Sequence, residues 1–110
     1  MNTSKSERTL SPEDALELDT FIDHLWLEDG LSKNTLESYR LDLTSFALWL
    51  SQQNKQLLTV DQADIQQYLA VKFPQSKPRS IGRLIASLRR FYRYCLRDNK
   101  IGLDPTIQIQ

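Results

Sequence analysis

This 110-residue chain holds only one cysteine, one histidine and three scattered glycines, the residues that thiolate-imidazole metal sites and glycine-rich phosphate loops require. Cys95 has no second cysteine with which to form a disulfide, so nothing points to an oxidising compartment. Cys95 and His24 together fall short of the four nitrogen or sulfur ligands that a structural zinc ion takes. Gly30, Gly82 and Gly102 stand apart, which excludes a phosphate-cradling loop and a dinucleotide fingerprint. No apolar run approaches the roughly 18 residues that span a bilayer, and Met1 to Leu10 is too polar for a signal-peptide core. The expectation is a soluble protein of the cytoplasm, with no metal, no cofactor, no membrane partner and no small-molecule substrate. Alternation of polar and apolar residues occurs only after Asp104-Pro105, over too few residues for a sheet of its own, and internal repeats and low-complexity tracts are missing.

Net charge is zero, but the average hides a division along the chain. From Met1 to Asp64 five basic residues face twelve acidic ones, a balance of −7; from Ile65 to Gln110 nine basic residues face two acidic ones, a balance of +7. A polyanion is therefore steered to the C-terminal half and repelled by the acidic start. The acids that crowd the first helix, Asp14, Asp19 and Asp23 among them, read as a solvated polar face rather than as an acid/base pair.

Four helix signals follow one another. Residues 1–10 lack periodicity and read as a mobile tail. Ser11-Pro12-Glu13-Asp14 supplies a cap, a first-turn proline and acids at the positive end of the dipole, opening a helix that stops at Asp29-Gly30. Its apolar stripe is Ala15, Leu18, Ile22, Leu25 and Trp26. Ser32 caps a second helix to about Gln53, with Leu36, Tyr39, Leu43, Phe46, Ala47 and Leu50 facing inward. Asp61, with Asp64 three residues on, caps a third that Phe73-Pro74 ends. Ser76 or Lys77 opens a fourth, which closes at Asn99 to Gly102. The architecture expected is all-α: four antiparallel helices in one orthogonal or bundle-like domain over residues 11–103, with 104–110 as the start of a linker.

The fourth helix carries the sharpest signal. At 100° per residue, Arg79, Arg83, Arg90, Arg93 and Arg97 lie within about 40° of one direction, and Ile81, Leu84, Ile85, Leu88, Phe91, Tyr92 and Cys95 within about 60° of the opposite one. Ala86 and Ser87 are short enough to let a bulky polyanion approach. Arginine's planar fork suits paired hydrogen bonds to phosphate or to a guanine edge. The competing reading, in which these arginines pair with the acidic half, contributes little per surface pair and leaves a face without acids unexplained. The expected contacts to double-stranded DNA are Arg79, Ser80, Arg83, Ser87 and Arg90, supported by Lys33, Asn34, Thr35, Ser38 and Arg40 at the start of the second helix. Arg89 sits off the main face as a structural residue. Tyr94, at the edge, either donates to a phosphate or covers the core, whereas Tyr39 and Tyr92 are packed phenols. From a different class comes a four-helix interaction module whose arginine face docks an acidic protein.

The stretch Leu31-Ser32-Lys33-Asn34-Thr35-Leu36-Glu37-Ser38-Tyr39-Arg40-Leu41-Asp42-Leu43 resembles a segment of the tyrosine recombinases, and Arg83 to Tyr94 is similar to an arginine- and Phe-Tyr-bearing helix of the same family. With Leu25-Trp26-Leu27-Glu28, the similarity is to the Xer recombinases and covers about Leu18 to Pro105. The resemblance implies an N-terminal core-binding, SAM-like DNA-binding domain whose second and fourth helices approach the major groove. It implies further that catalysis belongs to a separate C-terminal domain, where a tyrosine forms a phosphotyrosyl DNA intermediate. None of those catalytic positions lies here, so the chain is expected to be a non-catalytic piece. The parent would pair with a related, XerC-like recombinase subunit in a tetramer that resolves chromosome dimers before division. Leu41, where relatives often carry a basic residue, is a departure from the pattern.

Overall fold

In the computed structural model, which describes residues 9–109, the chain is all-helical, with four α-helices and no strand among the described residues. The expected mobile tail falls outside the described residues except for Thr9 and Leu10. Two compact units divide the chain, one ending at Leu57 and the other starting at Leu58.

The first unit holds α1 (Pro12–His24) and α2 (Lys33–Ser51). Ser11 caps α1 by accepting the Asp14 N–H at 3.0 Å, with Pro12 in the first turn. Beyond His24 the chain widens into a π-helical turn, Leu25–Asp29, and Gly30 ends it at φ 64°, with its N–H donating to the Leu25 carbonyl. A left-handed backbone there suits glycine, as the Asp29-Gly30 stop signal indicates. Leu18, Phe21, Ile22 and Leu25 are buried, whereas Trp26, expected in the core, is 56% exposed. The seat of α1 is centred on Phe21 and Leu25, and an indole lying about 120° from that centre points outward. Asp14 also departs from expectation: it is 2% exposed and accepts the Leu57 N–H at 3.0 Å. Burial pushes its carboxyl up from the ordinary value; the Leu57 hydrogen bond opposes that, and the charges of Glu13 and Glu17 add to it.

Ser32 caps α2 through the Thr35 N–H at 3.2 Å, and Leu36, Leu43, Phe46, Ala47 and Leu50 are buried as the stripe requires. Tyr39 is only half-buried.

The second unit holds α3 (Gln62–Lys72) and α4 (Pro78–Arg97). Asp61 and Asp64 form the expected capping box, each accepting the other's backbone N–H at 3.0 Å. Pro78 occupies the first position of α4, where a missing N–H costs nothing. The two long helices end alike. Asn54 and Asn99 take left-handed φ values of 59° and 60°, and the following Lys55 and Lys100 N–H groups donate back to Leu50 and Cys95.

Candidate nucleic-acid interface

The face of α4 that meets solvent is basic. Arg79, Gly82, Arg83, Ala86, Arg93 and Arg97 are exposed, Arg89 and Arg90 are half-buried, and Ser80 is half-buried beside the first turn. Ile81, Leu84, Leu88, Phe91, Tyr92 and Cys95 are buried as the apolar stripe predicts. Ser87 and Tyr94 join them, so the buried arc extends further round the helix than the stripe does, taking in residues about 60° to 80° from the centre of the arginine face. Ser87 is 0% exposed, and its hydroxyl donates to the Leu84 carbonyl at 2.8 Å. A side chain so enclosed cannot reach DNA, which corrects the sequence-based assignment of Ser87 as a contact. Tyr94 takes the core role of its two alternatives.

Small residues shape the same face. A Cβ added at Gly82 would meet nothing within 4 Å, so the space above that turn is open, and Ala86 continues it one turn on. No acid stands in the first turn of α4, and no side chain caps it. Pro78 lacks an N–H and the Ile81 N–H bonds to the Lys77 carbonyl, so the first-turn amides of Arg79 and Ser80 are the ones a bound anion would meet. From Leu58 onward nine basic residues stand against four acidic ones, a net of +5. Three of those acids are engaged locally: Asp61 and Asp64 in the capping box, and Asp104, which accepts both donors of Thr106.

In the first unit, Lys33 and Asn34 are exposed on the first turn of α2, with Thr35 and Ser38 half-buried behind them. The Thr35 hydroxyl accepts from Ser32 Oγ at 2.9 Å, so this corner is organised by the cap itself. Arg40 forms an exposed ion pair with Asp19 at 2.8 Å. Leu41 is 68% exposed on the outer side of α2. The expected residues thus form two clusters, one on each unit: Lys33, Asn34, Thr35, Ser38 and Arg40 on the first, and Arg79, Ser80, Arg83 and Arg90 on the second. Among the described residues no group of three His, Cys, Asp or Glu side chains is placed to hold a metal ion. No helix among them is long and apolar enough to cross a membrane.

Residues 18–99 match the family model described as phage integrase, N-terminal SAM-like domain. The chain belongs to that family. Within the integrase SAM-like domain, relatives named tyrosine recombinase XerD stand close in sequence. The one from Pseudomonas aeruginosa is 46% identical over 93 residues, which is 84% of this chain and 31% of the relative. The one from Shewanella oneidensis is 47% identical over 94 residues, again 84% of this chain and 31% of the relative. The Pseudomonas putida protein is 44% identical over 93 residues. The chain spans about a third of the length of these curated relatives.

Proposed function

We propose that this chain is the DNA-binding, core-binding part of a XerD-like site-specific tyrosine recombinase and that it grips duplex DNA at a recombination site. The observation that carries the reading is the exposed arginine face of α4 in a chain of the integrase SAM-like family. Arg79, Arg83 and Arg90 supply most of the contact from α4, with Ser80 and the open first-turn amides meeting a phosphate. Lys33, Asn34, Thr35, Ser38 and Arg40 make a second, weaker contact. Arg40 exchanges Asp19 for a phosphate oxygen at small cost, because an exposed pair of this kind is worth only about 0–1 kcal/mol. Strand cleavage and rejoining belong to the whole recombinase, which acts in the cytoplasm beside a XerC-like subunit in a tetramer and resolves chromosome dimers. This portion contributes grip and register, not catalysis.

Titration of labelled duplex at several salt concentrations tests the reading. A DNA-binding face loses affinity with a log-log slope near −0.9 for each phosphate contacted. Binding to no duplex at low salt would return the arginine face to the competing role of docking an acidic protein.

A further inference from the structure

We propose that residues 103–109 are a docked strap latched by Arg89, which fixes the point at which the chain leaves the second unit. The sequence reads this segment as the start of a linker, yet hydrogen bonds at several points hold it. The Arg89 guanidinium donates to the Ile109 carbonyl. Gln62, at the start of α3, donates from Nε2 to Gln108 Oε1 at 3.1 Å. Asp104 Oδ1 accepts both the N–H and the hydroxyl of Thr106, at 2.8 and 2.7 Å, folding that residue in until it is 1% exposed. Pro105 is buried beside it, and the Ile109 N–H returns to the Thr106 carbonyl at 3.1 Å.

Arg89 lies about 80° from the centre of the arginine face, on the flank opposite Ser87. That position explains an arginine outside the basic ridge: a guanidinium there reaches the backbone of the strap, and its fixed fork of donors can hold a carbonyl at that distance from the helix. Ile109 in turn walls an open groove of about 470 Å³ with Leu69, Phe73 and Ile85, so the end of the strap covers apolar surface as well as making hydrogen bonds. The consequence for function rests on the recombinase reading: a catalytic domain joined beyond the strap would leave from a fixed point on the DNA-binding unit. The strap itself does not depend on that reading.

Amide hydrogen exchange on the 110-residue chain tests it. In the parent, the amides of Thr106, Ile107 and Ile109 exchange at least about tenfold more slowly than in an unstructured peptide. Arg89→Ala brings them within about threefold of the unstructured rate and leaves α4 amides such as those of Leu84 and Leu88 protected, while Arg89→Lys keeps part of the protection. Asp104→Ala releases the strap from its other end and decides the matter should Arg89→Ala loosen α4 too. Unstructured rates at 103–109 in the parent, or full protection surviving Asp104→Ala, would overturn the strap. The salt slope of duplex binding stays the same in Arg89→Ala as in the parent; a slope shallower by about 0.9 would place Arg89 on a phosphate and overturn the latch. A parent that binds no duplex would sink the recombinase reading alone, with the exchange rates still deciding the strap.

Discussion

Replacing Asp14 with alanine should destabilise the first unit, whereas replacing it with asparagine should not. The carboxylate is buried and is the acceptor for the Leu57 N–H, so truncation leaves a backbone donor unsatisfied near the end of the unit. Such a donor costs about 1–3 kcal/mol, which lowers the midpoint of thermal unfolding by several degrees in a protein of this size. Asparagine keeps an acceptor oxygen at the same place and removes a charge that burial, Glu13 and Glu17 all disfavour. Because the folded-state pKa is raised, the native protein holds its Asp14 proton at pH values where the unfolded chain has released it. Stability from this group therefore falls as pH rises from the ordinary carboxylate value through the raised one, and the loss persists above it. Urea unfolding of parent, Asp14→Asn and Asp14→Ala at pH 4 and pH 7 measures both effects. Asp14→Asn should gain on the parent between the two pH values, and Asp14→Ala should fall below Asp14→Asn at pH 7. An alanine variant as stable as the asparagine one at pH 7 would refute the reasoning, since the Leu57 N–H would then have no need of its acceptor.

Gly82→Ala should stabilise α4 by roughly 0.5–1 kcal/mol, since nothing crowds the new Cβ and the helix gains a better former; thermal melting would record it, and weakened duplex binding by the same variant would place the DNA backbone close to that turn. Ser32→Ala removes the cap of α2 and should cost about 0.5–2 kcal/mol in chemical unfolding. Ser87→Ala should leave duplex affinity unchanged in fluorescence anisotropy, because that hydroxyl points into the helix. Arg83→Ala should weaken a cognate site more than random duplex if the side chain reads a base, and both equally if it touches phosphate; equal affinity of variant and parent for both would remove Arg83 from the interface.

Capping chemistry made the helix borders legible: Ser11, Ser32 and the Asp61–Asp64 pair each act where their spacing places them. The orientation of each helix was harder to read, and the two errors share a cause. The apolar stripe of α1 takes in Trp26 and omits Phe21, but packing buries Phe21 and leaves the indole outside. On α4 the same imprecision left Ser87 in the expected contact set, although about 80° from the arginine centre a short hydroxyl that can bond its own helix backbone is readily buried. Asp14 was hidden for a different reason. Its partner is a backbone N–H 43 residues away, and no periodicity encodes a contact of that range. The docked tail escaped for the same reason, since Arg89 finds Ile109 only once α4 exists. The arginines themselves were legible because their 3.6-residue recurrence needs no tertiary information.

The left-handed Asn99 sets a measured length. By reversing the chain two residues past Arg97, it confines the cationic ridge to a 20-residue helix, about 30 Å from end to end. A rod of that span matches close to one repeat of a double helix, so on the reading proposed above the arginines of α4 alone meet no more than about one turn of duplex.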